Sequence, residues 1–400
     1  MAKQLLITVL TTLLITTGAF AQAQDEAPAD VDQRYQRAVD LISAYQFKQA
    51  QELLSECYHQ EPENTDYLTR IAYCNMQLGR YGDAKIFYNK VLSLDSTNAV
   101  ALSSLGTIYE REYNYGQAAG YFQQLLQVDT TNSYYYKRNG ALALKQNNAI
   151  GALYYYLKAH QLNGADIEVI DQLSALYLGM GQLDYAEAML DKGFHLDPKN
   201  IKLLYNKASL HSKRHQHSEV IDAVERAMEQ GDTSDYYQMM VGVAYVRVDS
   251  AEKAIEHLQA IVDREKDSEH THHYLGLAHF YKRDLEKAEE HLRIALEKGV
   301  SEKMGIYHGD LANTLVASND YPGAIEHYRA AHRYNPTPRY LFRLAQLSDS
   351  YYKDKKIALQ YFDRYLAGSD EEFREYSEQR ARQIREYLHF SKSRTQEPNR

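Results

Sequence analysis

The chain has 400 residues, a formal net charge of −9, 44% hydrophobic residues, 20 glycines and only 7 prolines. This hydrophobic content excludes a disordered chain, and the scarcity of glycine and proline favours helices joined by short connections. The acidic balance argues against general nucleic-acid binding, which usually needs a basic face.

The amino terminus has the layout of a secretory signal peptide. Lys3 precedes an apolar stretch over 5–20, and Ala19-Phe20-Ala21 forms a small-x-small cleavage site. The alternative is an uncleaved membrane anchor, but the stretch is shorter than the roughly 20 residues that a spanning helix needs. We therefore expect a signal peptide over 1–21, a linker over 22–30, and a periplasmic or secreted protein after cleavage.

Cys57 and Cys74 are the only two cysteines of the chain. An exported protein can join two cysteines in a disulfide, so one such bond is compatible with this sequence. The alternative is two buried, reduced side chains that pack as small apolar groups. The sequence leaves both interpretations open.

Small and bulky residues recur along the chain with a period of about 34 residues. The first series is alanine at all but one of its ten sites: Ala50, Ala84, Ala118, Ala152, Ala186, Val220, Ala254, Ala288, Ala324 and Ala358. A second series, twelve or thirteen residues earlier, is always small: Ala38, Ala72, Gly106, Gly140, Ser174, Ala208, Gly242, Gly276, Ala312 and Ala345. A third, four residues after the first, is always apolar or aromatic: Leu54, Tyr88, Phe122, Tyr156, Leu190, Val224, Leu258, Leu292, Tyr328 and Phe362.

These three series predict two helices in each unit of 34 residues. A small residue where two helices cross lets side-chain ridges settle into grooves, and the bulky residue fills the space beside the crossing. Turn residues such as Leu78-Gly79-Arg80 separate the two helices, and segments such as Leu94-Asp95-Ser96-Thr97-Asn98 separate the units. Asp, Asn and Pro in those segments can end one helix and cap the next.

The unit resembles the tetratricopeptide repeat, which has this length, these small sites, the aromatic and a late proline. Pro62, Pro198 and Pro336 match that proline, whereas the early tryptophan of the family is replaced by residues such as Leu68 and Leu102. The resemblance implies an all-α, right-handed superhelical α-solenoid of about ten helix-turn-helix repeats over 31–370. It also implies a concave groove lined by the first helix of each repeat.

The carboxyl-terminal segment departs from the repeat. Over 371–390, Phe373, Tyr376, Arg380, Ile384 and Tyr387 recur at three and four residues, which predicts a helix with one mostly apolar stripe. We expect this helix to cap the last repeat, because an open-ended array needs a polar outer layer. Residues 391–400 are expected to form a disordered tail.

The sequence contains none of the catalytic or phosphate-binding motifs that we sought, so no enzyme activity and no cofactor is expected. His211 and His215 are four residues apart, a spacing that can hold a metal ion on one helix. His211 and His279 fall at the repeat position of Tyr109, Tyr177 and Tyr245, which favours aromatic packing instead. We therefore expect no metal site.

The family resemblance assigns several charged and aromatic residues to the groove. The candidate partner-binding residues are Arg111, Tyr134, Lys137, Lys145, Lys202, Tyr205, Lys213, Tyr236 and Arg247, with Glu110, Glu168 and Asp171 as the acids among them. This set predicts a mildly basic groove for an extended, acidic peptide or protein, although charges on helices are often only a solvated face. The carboxylate clamp of chaperone-binding members is not matched, because Ala141 stands where that clamp has an asparagine.

Together these features predict a non-enzymatic scaffold of the cell envelope that holds a peptide or protein in its groove. The alternative is a structural component of an outer-membrane, secretion or surface machine that uses its convex face or its ends. The partner, the oligomeric state and the biological pathway do not follow from the sequence.

Overall fold

The computed structural model describes residues 31–395 except 233 and 301, and only the backbone of 390–395. The predicted signal peptide and linker lie outside the described residues, as do residues 396–400. Twenty-one α-helices and no strand occur in the described part. None of these helices is long and apolar enough to cross a membrane.

The helices, numbered in chain order, are α1 Val31–Ser43, α2 Phe47–Gln60, α3 Thr65–Gln77, α4 Tyr81–Leu94, α5 Ala99–Arg111, α6 Tyr115–Val128, α7 Ser133–Lys145, α8 Ala149–Leu162, α9 Ile167–Gly179, α10 Leu183–Leu196, α11 Ile201–Lys213, α12 His217–Glu229, α13 Asp235–Arg247, α14 Ala251–Val262, α15 Glu269–Tyr281, α16 Leu285–Lys298, α17 Met304–Ala317, α18 Tyr321–Tyr334, α19 Pro338–Tyr351, α20 Lys355–Leu366 and α21 Arg374–Thr395. From α1 to α8 and from α11 to α20, each odd-numbered helix packs against the even-numbered helix that follows it. We call these the first and second helix of a pair. Consecutive packed pairs are the architecture of an α-solenoid.

An asparagine or aspartate begins several of the first helices. The side chains of Asn64, Asn98, Asn132 and Asn200 accept hydrogen bonds from backbone N–H groups in the first turn of α3, α5, α7 and α11. Asp166 does the same for α9. Because the first backbone N–H groups of a helix have no partner within it, these side chains fix where each first helix starts.

The turn after α9, and the turn after every first helix except α19, contains a residue with a left-handed backbone. These residues are Tyr45, Gly79, Tyr113, Asn147, Gly181, His215, Asp249, Arg283 and Asn319. A left-handed residue just beyond the helix end reverses the chain and satisfies the last carbonyl groups. Only two of the nine are glycine, so residue type alone does not reveal this regular feature.

The small residue of each first helix faces the bulky residue of its second helix. A Cβ atom added to Gly106 would lie 2.7 Å from the ring of Phe122, and one added to Gly140 would lie 3.1 Å from the ring of Tyr156. At Gly276 the same atom would lie 2.6 Å from Cγ of Leu292. The second and third series of the sequence are therefore the two sides of one contact.

The chain divides into two compact units, Met1–Leu173 and Ser174–Arg400, with the division inside α9. One core cluster of the first unit contains Leu68, Ala72, Ala84, Tyr88 and Leu105. One core cluster of the second unit contains Ala208, Val220, Val224, Val241 and Ala254. Both clusters are built from the periodic small and bulky positions together with apolar neighbours, so one packing scheme serves both units.

The last helix differs from the expected segment 371–390, because α21 runs from Arg374 to Thr395. The expectation of a disordered tail is therefore wrong for 391–395, which are helical, and its remaining residues lie outside the described part. No glycine or proline interrupts the sequence between those two helix ends, which lets the helix continue.

The buried stripe of α21 also differs from the expected one. Ala381 and Ile384 are buried against the last pair of helices, whereas Tyr376 and Tyr387 are 48% and 59% exposed. Phe373, just before the helix, stacks on Phe342 with ring centroids 4.0 Å apart.

The two cysteines are both free and buried. Cys74 lies in a core cluster with Ala38, Ala50, Leu54 and Ile71. Burial raises the pKa of the Cys74 thiol to about 11. Of the two interpretations of these residues, the structure contains the one in which they pack as small apolar groups.

We expect Gly276→Ala to lower the free energy of unfolding by about 1–3 kcal/mol, because the new Cβ would overlap the side chain of Leu292. Urea denaturation followed by circular dichroism measures the loss, and hydrogen exchange should place it in α15 and α16.

The pair Ala208–Val224 shows how the chain itself accommodates an alanine at this contact. The double variant Gly276→Ala/Leu292→Val should therefore be more stable than the sum of its single changes implies. Additive effects of the two changes would show that this contact does not set the spacing of the helices.

Candidate functional site

Four of the sequence-predicted partner-binding residues lie on first helices of the first unit. Arg111 is exposed at the end of α5 and donates a hydrogen bond of 2.8 Å to the hydroxyl of Tyr81. Tyr134, in the first turn of α7, is 47% exposed. Lys137 and Lys145 follow on the same helix.

The two lysines of this face are paired with carboxylates of the same unit, whereas Arg111 contacts a tyrosine hydroxyl and forms no ion pair among the described residues. Nζ of Lys137 lies 2.9 Å from Asp166 and 3.1 Å from Glu168. Nζ of Lys145 lies 2.8 Å from Glu110, which also pairs with Arg138. Because opposite charges this close largely cancel at a distance, this part of the first unit presents little net positive potential.

The second unit holds the other five predicted residues, of which four are exposed. Lys202 and Lys213 lie on α11, and Arg247 lies at the end of α13. Tyr236, in the first turn of α13, is 64% exposed and meets the ring of Tyr237 edge-on. These four residues are accessible to a partner.

Tyr205 corrects one of these expectations. Its side chain is only 8% exposed and packs in a cluster with Leu204 and Ala227. Its ring stacks on Tyr237 of α13. Burial raises the pKa of its hydroxyl well above the usual range for tyrosine. Tyr205 therefore joins two helix pairs of the second unit and does not offer its ring to a partner.

The structure contains a pocket that the sequence analysis missed. A cavity of about 540 Å³ opens between the first helices α15, α17 and α19 of the second unit. Its apolar wall consists of Phe280, Val316, Ala317 and Leu347, and Tyr376 of α21 closes one end. The predicted partner-binding residues lie between 111 and 247, so none of them lies on these helices.

A second cavity of about 370 Å³ adjoins the first. The two cavities share Asn313, Tyr328 and Arg343, and the second one also contains Arg339. Arg339 and Arg343 are four residues apart on α19, which places them on one face of that helix. Arg343 donates to Gln346 at 3.2 Å, and neither arginine forms an ion pair among the residues that the structure describes.

Tyr328 orients the amide between these two cavities. Its hydroxyl donates a hydrogen bond of 2.5 Å to Oδ1 of Asn313. Burial raises the pKa of Tyr328 to about 12, so the hydroxyl keeps its proton. With its oxygen engaged, the amide of Asn313 has its N–H groups left to act as donors beside Arg343.

The carboxylates in the lining already have cationic or imidazole partners. Asp310 contacts Nε2 of His273 at 2.8 Å. Asp349 lies 2.7 Å from Nε of Arg380 and 3.4 Å from Nζ of Lys355. Lys355 and Arg380, from outside the pocket, balance the charge of Asp349. Arg339 and Arg343 then outnumber the remaining carboxylate, Asp310, so the two cavities keep an excess of positive charge.

His211 and His215 do not lie on one helix, as a metal site at their spacing would require. Helix α11 ends at Lys213, and His215 lies in the following turn with a left-handed backbone. Nδ1 of His211 lies 2.8 Å from the amide oxygen of Gln216. The two rings therefore do not share a helix face, and no group of three potential ligands occurs among the described residues.

Two family models match the chain, and both describe tetratricopeptide repeats. One matches residues 41–105 and the other residues 310–372. Each matched segment includes helices that carry the small and bulky residues of the 34-residue period. The chain is a tetratricopeptide-repeat protein.

Several solved structures resemble this tetratricopeptide-repeat protein at low sequence identity. The tetratricopeptide-repeat protein YrrB, described as having an unusual peptide-binding site, is 22% identical, covering 44% of this chain and 91% of its own, with a TM-score of 0.40. PilF of Pseudomonas aeruginosa is 19% identical over 52% of this chain and 95% of its own, with a TM-score of 0.44. The Cut9–Hcn1 structure of the APC/C is 15% identical over 89% and 97%, with a TM-score of 0.44. No curated protein sequence matches the chain.

Tetratricopeptide repeats generally act as non-enzymatic scaffolds that bind protein partners. The fold of this tetratricopeptide-repeat protein therefore indicates a role in protein–protein interaction.

Proposed function

We propose that this protein is a scaffold outside the cytoplasm that binds an extended segment of a protein partner on the faces of its first helices. The observation that supports this most is the pocket between α15, α17 and α19. There, Arg343 lies beside an apolar wall, and Arg339 lines the adjoining cavity; neither arginine has an ion-pair partner in the described part of the chain. Such a site binds by combining apolar contact with a few placed polar groups.

The lining indicates the chemistry of the segment that fits. A carboxylate can accept hydrogen bonds from the guanidinium groups of Arg339 and Arg343, and such charge-assisted bonds are stronger than neutral ones. An apolar side chain next to that carboxylate can contact Phe280 and Leu347. The proposed ligand is therefore a peptide carboxylate flanked by an apolar residue. The carboxylate belongs either to an acidic side chain or to a chain end.

Fluorescence anisotropy with labelled peptides tests this proposal. We expect peptides with an internal Phe-Glu or a carboxyl-terminal Phe to bind, and the matching Phe-Gln and terminal-amide peptides to bind at least about tenfold more weakly. Binding of the Phe-Glu peptide would assign the carboxylate to an acidic side chain, and binding of the carboxyl-terminal Phe peptide would assign it to a chain end. Binding should weaken as salt is added, because the attraction is between charges.

The double variant Arg339→Glu/Arg343→Glu should abolish the preference for the acidic peptides over their amide counterparts. Lys266→Glu/Arg382→Glu changes the net charge by the same amount at exposed residues outside the pocket, and it serves as the control. An equal loss of binding in both double variants would show that only overall charge matters. Failure of both acidic peptides to bind would reject the pocket.

Export is part of this proposal and is supported by the sequence of residues 1–21. Mass spectrometry of the protein isolated from its own cells should find a chain that begins near Gln22, or near Gln24 if Ala21-Gln22-Ala23 is the site cleaved. A chain that still begins at Met1 would contradict export.

A second function, as a fixed component of a larger assembly, is favoured by one surface of the first unit. Ile150, Tyr154 and Leu157 follow one another on α8 at four and three residues and are 79%, 55% and 40% exposed. This apolar stripe lies on a second helix, away from the first-helix faces discussed above. Exposed apolar stripes of this kind often mark protein contacts.

A further inference from the structure

Two histidine pairs join first and second helices in the second unit. Nδ1 of His272 on α15 lies 3.0 Å from Nδ1 of His291 on α16. Nδ1 of His308 on α17 lies 2.9 Å from Nδ1 of His327 on α18. Partners in each pair are nineteen residues apart, so the same contact recurs in two successive helix pairs.

The preceding helix pair makes the same contact with a different residue. There, the ring of His257 on α14 lies 2.8 Å from the amide oxygen of Gln238 on α13, again nineteen residues apart. Glutamine can therefore take the place of one histidine in a polar contact at this crossing. In the next two helix pairs, both residues of this contact are histidine.

The first pair lies in a shielded and mostly charged neighbourhood. His272 is 5% exposed, and its Nε2 lies 2.7 Å from Asp267, which Lys298 also contacts. His279, which is 6% exposed, stacks on His291 and lies 3.3 Å from Asp284. The other charged groups that act on His291 are Lys287 and Glu290.

The second pair has its own set of neighbours. The ring of His308 stacks on Tyr334, with centroids 5.6 Å apart. The charged groups that act on His308 and His327 are Glu326 and Arg333 on α18, Asp320 before it, and Glu289 and Arg293 on α16.

The contact between two Nδ1 atoms limits how many protons each histidine pair can bind. A hydrogen bond between two Nδ1 atoms needs one ring to donate and the other to accept. A pair with one extra proton still satisfies this condition, since the imidazolium donates to the neutral ring. With two extra protons both Nδ1 atoms carry hydrogen, so the contact turns into a repulsion between two partly buried cations. The folded pair therefore holds one proton fewer than two free imidazoles hold in acid.

We propose that the pairs His272–His291 and His308–His327 make α15 to α18 an acid-labile segment, which is folded at neutral pH and opens locally as the pH falls toward 5.

The direction of the pKa values agrees with this geometry. Burial, together with the neighbouring histidines, lowers the pKa of His291 to about 4 from the usual 6.5. Burial also lowers the pKa of His308 and of His327. A histidine with a lowered pKa in the folded state stabilises the fold fully above its ordinary pKa. That stability is lost as the pH falls below it, because the unfolded chain then binds more protons.

The acid-labile segment carries part of the pocket. Phe280 is on α15, Asn313 and Val316 are on α17, and Tyr328 is on α18. If the proposed function holds, acid should release the bound segment by opening the wall of its site. This consequence rests on the proposed function, whereas the acid lability does not.

Hydrogen exchange of the purified full-length protein at about pH 7.5 and about pH 5 tests the inference. Protection factors, which remove the intrinsic pH dependence of exchange, should fall in α15 to α18 by on the order of tenfold or more. Helices α3 to α6 contain no histidine and serve as the internal control. An equal change in both groups of helices, or no change in either, would overturn the proposal.

The double variant His272→Gln/His308→Gln copies the Gln238–His257 contact into both pairs. It should keep protection at pH 7.5 and lose most of the acid sensitivity, since glutamine can accept from a protonated partner. His291→Gln/His327→Gln is the second variant if the first does not fold. An undiminished loss of protection in acid in either folded variant would contradict the proposal.

Peptide binding at pH 7.5 is measured separately from exchange, so the two proposals fail independently. Loss of exchange protection in acid without any peptide binding would reject only the pocket. Peptide binding at pH 7.5 with protection unchanged in acid would reject only the acid lability.

Discussion

The contact between a small residue on one helix and a bulky residue on the next determines how closely the helices of each pair approach. Opposite Phe122, Leu258 and Leu292 the small residue is glycine, and a Cβ atom there would overlap the bulky side chain at 2.6–2.7 Å; opposite Tyr156 the Cβ distance would be a tight 3.1 Å. Close packing of this kind fixes the register of the two helices. The register in turn decides which residues of the first helices stay exposed, so the accessible surfaces of each unit depend on this repeated contact.

The helix pairs could be predicted from the sequence because both sides of that contact keep the period of 34 residues. Residue type also pointed to the asparagine caps, such as Asn98 and Asn132. The left-handed turn residues could not be predicted, since seven of the nine are not glycine and only the backbone shows them. Of the buried residues of α21, Ile384 was predicted from the sequence, whereas Ser377 and Ala381 were not, because small residues add little to an apolar periodicity.

The candidate site was harder to predict because charges act through neighbours distant in sequence. Lys137 meets Glu168, and Lys145 meets Glu110, at separations of 31 and 35 residues. A row of lysines along a first helix can therefore be basic in sequence and nearly neutral in the folded unit. Near the carboxyl end of the described chain the opposite occurs. Arg380 of α21 pairs with Asp349, and Arg343 lines the pocket without an ion-pair partner among the described residues.

Site-directed photo-crosslinking in the organism that makes the protein decides which face holds the partner. A photoreactive phenylalanine at Val316 would lie in the pocket, and the same residue at Tyr154 would lie on the exposed stripe of α8. We predict a discrete crosslinked product from Val316 that disappears when Arg339 and Arg343 are changed to Glu. A product from Tyr154 alone would contradict the pocket as the binding site and would favour a fixed place in a larger assembly.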